Sequence, residues 1–197
     1  MLEIKALTRL HIGPVYLDLA NGEVLAITGA SGSGKSLLLR AIADLDPNEG
    51  MLATQSGARR DTPAPDWRRK VAYLPAESGW WADRVDAHFE QPEVVDLASL
   101  GIPEKAMGWE VARLSSGERQ RLAFLRLLEH QPEVLLLDEP TASLDATNTA
   151  LFEARLKRCV DNGVSVIIVT HDPAQADRLA DRHFVLENGQ LGQVAHG

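Results

Sequence analysis

The stretch Gly29-Ala30-Ser31-Gly32-Ser33-Gly34-Lys35-Ser36 constrains this chain more than any other segment. It satisfies G-x-x-x-x-G-K-[ST] at every defined position. Before it stands a buried-strand pattern, Val24-Leu25-Ala26-Ile27, and after it a run of helix formers, Leu37-Leu38-Leu39-Arg40-Ala41-Ile42-Ala43. Glycines let such a loop curl until several backbone N–H groups converge on phosphate oxygens, and the following helix N-terminus adds positive potential. Lys35 is expected at the β- and γ-phosphates, and the Ser36 hydroxyl at Mg²⁺. The blander reading is a Gly-rich turn before a helix, which the full match in a strand-to-helix setting disfavours.

A second segment fits the same chemistry. Val134-Leu135-Leu136-Leu137-Asp138-Glu139 is an apolar strand ending in two acids. Asp138 is placed to hold Mg²⁺, usually through water, and Glu139 to polarise an attacking water as general base. Taken alone, such a pair often only starts a turn or caps a helix. Coupled to the loop it becomes a strong signal, because ligands in parallel sheets sit at the carboxyl ends of strands.

The rest of the chain supplies the scaffold these segments need. Ile4 to Leu7 and Val15 to Leu19 read as N-terminal strands, with Asn21-Gly22 as a turn. Residues 55–70 are polar and read as an exposed connection, with Arg68-Arg69-Lys70 as a solvated face. Val71 to Leu74 is a further strand, and residues 77–113, with scattered helix formers, read as a small helical lobe. Helices are expected over 118–129, 147–162 and 174–179, a buried strand over 164–169 and a hairpin around Asn188-Gly189. Alternating strands and helices predict an α/β fold with a central, mostly parallel sheet flanked by helices. Length predicts a single domain over 1–197, with a nucleotide-binding core of 1–75 and 131–197 and a lobe of 76–130.

Composition narrows the partners. Lys and Arg number 20 against 28 Asp and Glu, a net charge of −8, which disfavours nucleic acid because phosphate contacts need a basic face. The one cysteine, Cys159, excludes a disulfide framework and a cysteine zinc site. The start Met1-Leu2-Glu3-Ile4-Lys5 lacks the order of a signal peptide, and the aliphatic runs are far shorter than a membrane span. The expectation is a cytoplasmic chain, with any membrane part on another polypeptide.

Leu114-Ser115-Ser116-Gly117-Glu118-Arg119-Gln120-Arg121 resembles the L-S-G-G-[QE]-x-Q-R signature of ATP-binding cassette (ABC) ATPases. Ser143-Leu144-Asp145 resembles their D-loop, and Thr170-His171-Asp172 their switch histidine. With the phosphate loop and the acid-ended strand, the motifs hold their order from about residue 20 to residue 190. The resemblance implies a P-loop NTPase of ABC type, Mg²⁺-dependent ATP hydrolysis, and a head-to-tail homodimer with ATP sandwiched between subunits. One subunit would supply Lys35, Ser36, Asp138, Glu139 and His171, and the other Ser115 and Gly117, with Asp145 nearby. For Ser115 an ordinary helix cap with Glu118, a capping box, is an equally valid role. The resemblance also implies a permease on a separate chain and a place on the inner face of the membrane. The lean lobe and the Glu-Arg-Gln signature look like those of compact bacterial exporters.

Four positions depart from the family. Leu37 stands where members usually have Thr; the lost hydroxyl is worth about 1.5–3 kcal/mol if charge-assisted. Its backbone N–H remains for the nucleotide. Ser116 replaces the first signature glycine. Ala76 occupies the place of the metal-sensing Gln, so Glu77 is the candidate substitute and third metal ligand. The aromatic that stacks on adenine has no clear counterpart; Tyr16 reads as a strand residue beside the core, leaving His11 as the alternative flat ring. Trp80-Trp81 follows the altered Gln position; either one of the two meets the permease or both pack against the lobe's own helices, and the sequence favours neither. Competing readings are a soluble ABC ATPase acting on nucleic acid or ribosomes, and a nucleotide-gated scaffold of low turnover. The first lacks room for the coiled-coil or tandem cassette such relatives carry.

Overall fold

The computed structural model describes residues 1–194, so residues 195–197 of the expected domain lie outside the described part. Two sheets form it. Strands β1 (Leu2–Arg9), β2 (Ile12–Leu19), β4 (Glu49–Thr54) and β5 (Gly57–Ala58) make an antiparallel sheet in the order β2-β1-β4-β5. Strand β3 (Val24–Thr28) belongs to the second sheet, with β6 (Val71–Leu74), β7 (Val134–Asp138), β8 (Ser165–Val169), β9 (Arg182–Glu187) and β10 (Gln190–Val194). Its order is β10-β9-β3-β8-β7-β6, parallel throughout except for β10 at the edge.

The apolar runs become strands buried on both faces, as parallel sheets require. Period-two alternation divides them between two cores. Leu25, Ile27, Val134, Leu136, Ile167 and Val169 face a core shared with helix α1 (Lys35–Ile42) and the N-terminal sheet. Val24, Ala26, Leu135, Leu137, Val166 and Ile168 face a second core. That core includes helices α3 (Ser116–Leu128) and α4 (Ala146–Asp161), with helix α5 (Pro173–Leu179) contributing Ala176.

The connection at 55–70 is more ordered than its polarity suggests. It holds helix α2 (Ala64–Lys70), whose Trp67 is fully buried and donates its indole N–H to the Ile42 carbonyl at 3.0 Å. Pro65 sits in the first turn with Asp66, and the three basic residues in the last, which suits the helix dipole. Arg68 and Arg69 remain exposed, in keeping with a solvated face.

The lobe is less helical than expected. Between β6 and α3 the chain makes five short 3₁₀ segments, from Asp86–His88 to Val111–Arg113. Pro92, Gly101 and Pro103 interrupt it too often for an α-helix to propagate past its costly first turn. Its apolar residues, among them Val85, Phe89, Leu97, Leu100 and Ile102, pack into the second core rather than into one of their own.

Replacing Trp67 by Ala is expected to cost about 3–5 kcal/mol. Urea unfolding of the two chains measures it, and a loss under about 1 kcal/mol would mean that this indole is not a core residue.

Candidate functional site

Because β6, β7, β8 and β3 run parallel, their carboxyl ends share one edge. Ile27 of β3 and Asp138 of β7 are both level with Val169 of β8. The loop after β3, Thr170-His171 after β8, Glu139 after β7 and Pro75-Ala76 after β6 therefore emerge side by side.

Helix α1 opens without a side-chain cap; Gly34 at its N-cap has φ 100°, ψ 13°. Two glycines of the loop have no room for a side chain. A Cβ at Gly29 would stand 2.5 Å from the Leu186 carbonyl oxygen, and one at Gly34 2.6 Å from Ile12. Lys35 is buried and donates from Nζ to the carbonyls of Gly29, at 2.8 Å, and Ala30, at 2.9 Å. The Ser33 hydroxyl is buried without a hydrogen-bond partner among the described residues, while Ser36 is exposed. Leu37 packs on the first core, which accounts for an apolar residue there. An uncapped helix start, a curled ammonium and an unsatisfied hydroxyl make a donor set that fits a polyphosphate.

Asp138 is 4% exposed and accepts the Tyr73 phenol hydrogen at 3.0 Å. Burial foremost, and then the neighbouring carboxylate, push Tyr73 well above the usual phenol range, so it donates. Glu139 has a left-handed backbone, φ 48°, held by its N–H to the Val169 carbonyl. Its Oε1 lies 2.9 Å from His171 Nε2. A buried carboxylate beside a phosphate cradle offers the hard oxygen donors that Mg²⁺ prefers, so these residues fit the ion.

The remaining expected residues lie elsewhere. Ser115 caps α3 in a capping box with Glu118 and is exposed. Gly117 is buried where a Cβ would meet the Ser143 carbonyl at 2.9 Å, so the signature glycine is needed by the segment before Asp145. Asp145 caps α4, accepting from the Asn148 N–H, which foremost holds its carboxyl below the usual range. Among the described residues none of these three has a hydrogen bond to the phosphate loop. Glu77 is exposed and has no hydrogen bond or ion pair among the described residues, whereas Gln120 donates to the Pro75 carbonyl and accepts from Ser78. Tyr16 points to solvent rather than lying beside the core. His11 shares a depression with Ala30, Ser31, Ser33 and Glu187. Trp81 is 72% exposed, and the Arg126 guanidinium lies over both tryptophan rings, at 4.9 Å from Trp80 and 4.7 Å from Trp81.

Tyr73 and Gln120 were missed from sequence. Their signals were a polar-tipped aromatic inside a buried strand and an amide on the buried stripe of a helix.

The family described as ABC transporter matches residues 12–142. Aliphatic sulfonates import ATP-binding protein SsuB 3 of Pseudomonas savastanoi pv. phaseolicola is 36% identical over 94% of this chain and 70% of its own length. SsuB of Cupriavidus necator is 39% identical over 90% of this chain and 61% of its own. A solved ATP-binding subunit of an ABC transporter superposes with a TM-score of 0.86 at 22% identity, covering 98% of this chain and 90% of that one. A dimeric post-hydrolysis ATP-binding cassette bound to ADP and Pi gives 0.79 at 23%, with both chains fully covered. At those identities the structures speak for the fold. The exporter-like expectation finds no support, since these relatives are named as import proteins.

Gly117→Ala is expected to cost about 1–3 kcal/mol through overpacking against Ser143. Thermal denaturation checks it; an unchanged melting point would show that the close approach relaxes freely.

Proposed function

This chain belongs to the ABC transporter family, as an ATP-binding and ATP-hydrolysing subunit, and we propose that it drives uptake of aliphatic sulfonates through a permease on another polypeptide. The relatives' names support the direction and the substrate; the choice of substrate rests with other chains. Among the described residues no helix is long and apolar enough to cross a membrane. The reading therefore places this chain on the inner membrane face, held there by the permease.

One observation carries the catalytic assignment: Lys35, Asp138 and the Glu139–His171 pair emerge on one sheet edge, with Glu139 and His171 2.9 Å apart. Lys35 exchanges its bonds to Gly29 and Ala30 for phosphate oxygens. Backbone N–H groups from Gly29 to Leu37 surround the phosphates. Ser36 and Asp138 would hold Mg²⁺, which would supply positive charge to the phosphate oxygens. Glu139 takes the proton of the water that attacks the γ-phosphorus, and ADP leaves with the electrons of the broken P–O bond. His171, with its proton on Nε2, holds the Glu139 carboxylate in place. His11 is the surface offered to adenine, and Glu77 the acid that would turn inward in place of a Gln.

Exposed Ser115, at the start of a 13-residue helix, supports a second-subunit role. Two chains then meet head to tail, each presenting Ser115, Gly117 and the Asp145 segment to the other's phosphate loop. Trp81, exposed beside Arg126, is the residue offered to the permease.

Glu139→Gln is expected to lower hydrolysis about 10²–10⁴-fold and to give an ATP-dependent dimer on size exclusion. A strict monomer at high concentration with ATP would overturn the head-to-tail reading. Trp81→Ala should reduce co-purification with the permease at unchanged melting temperature, and undiminished association would remove it from that interface. Glu77→Ala should weaken the Mg²⁺ dependence of hydrolysis, and no change would dismiss Glu77 as a ligand.

A further inference from the structure

We propose that Tyr73 is a positioning residue for the metal-holding acid: its hydroxyl fixes the Asp138 carboxylate so that one oxygen stays turned toward Mg²⁺. The inference rests on the ATPase reading of the site. Its basis is one contact between neighbouring strands, Tyr73 Oη donating to Asp138 Oδ2 at 3.0 Å.

Register puts the two side chains together. Tyr73 of β6 is paired with Leu136 of β7, and Asp138 follows Leu136 by two residues on the same strand. Tyr73, Leu136 and Asp138 therefore lie on one face of the sheet, the face that carries the first core. A tyrosine ring is long enough to reach one step further along the strands, which brings its hydroxyl to the acid. The ring itself packs against the first core, so the hydroxyl sits at the end of an anchored lever.

Asp138 needs such a partner. A carboxylate at 4% exposure loses most of its water, and a buried charge is costly without hydrogen bonds. The phenol satisfies Oδ2 and stops rotation about the Cβ–Cγ bond, leaving Oδ1 for the ion. No polar side chain at Ala76 can do this from the end of β6, and Glu77 is exposed. Outer partners of this kind orient the groups that hold a metal and set its affinity.

The test is Tyr73→Phe, which keeps the ring and removes the hydroxyl. Equilibrium binding of fluorescent mant-ATP is measured for the parent chain, Tyr73→Phe and Asp138→Asn, each with EDTA and with MgCl₂. In the parent, Mg²⁺ should tighten binding, and Asp138→Asn should abolish most of that gain. Tyr73→Phe should cut the Mg²⁺ gain roughly tenfold while leaving binding in EDTA unchanged. An undiminished Mg²⁺ gain overturns the proposal. So does an equal loss in EDTA and in MgCl₂, which marks a purely structural role. A parent chain that shows no Mg²⁺ gain overturns both this inference and the reading of the site beneath it.

Discussion

Parallel pairing of β3, β8 and β7 is the constraint on which the site depends. It sets three chain crossings at one level, so that a loop of donors, a histidine and a pair of acids emerge together. No side chain in the site has to reach far. The phosphate loop needs the edge of a strand and the start of a helix, and pairing with β8 fixes where both stand. The two cores fasten that sheet from either side, which is why strands of only five residues hold register.

The lobe shows a different solution. Its 3₁₀ segments have few backbone bonds of their own, and their apolar residues borrow the sheet's second core. Such a segment keeps its shape only as long as α3 and the sheet stay packed beneath it. Gln120 ties its entry, at Pro75 and Ser78, to α3, while Arg121 reaches the Leu100 carbonyl and Asn148 of α4. The carboxyl edge of β6 is thereby joined to the signature helix by side-chain bonds rather than by a continuous helix.

Much of this was legible in the chain. The strands β3, β7 and β8 announced themselves as apolar runs, and the loop, the two acids and His171 fell where strand ends placed them. Helix α2 was not legible, because one buried face made by Trp67 alone leaves no periodicity to read. The short turns of the lobe were also hidden, since composition separates helix from coil better than α from 3₁₀. Tyr73 and Gln120 stayed out of sight for a shared reason: each acts on a partner distant in sequence, across a strand register or a helix face. Glu77 shows the converse. Position along the chain suggests a ligand, whereas the structure leaves its side chain exposed, with no hydrogen bond among the described residues, so that it would have to turn inward to act.

The hairpin of β9 and β10 has a consequence for the order of events during synthesis. Leu186 contributes the carbonyl that walls Gly29, and Gly189 lies so close to His11 that no Cβ would fit between them. Gly13 donates its N–H to the Gly189 carbonyl, and β9 lies beside β3. The phosphate loop is thus translated early and enclosed late. A nascent chain that has passed α5 already carries every motif of the site but not the wall behind it. Enclosure of the phosphate loop therefore waits until the β9–β10 hairpin has been made and β9 has paired beside β3.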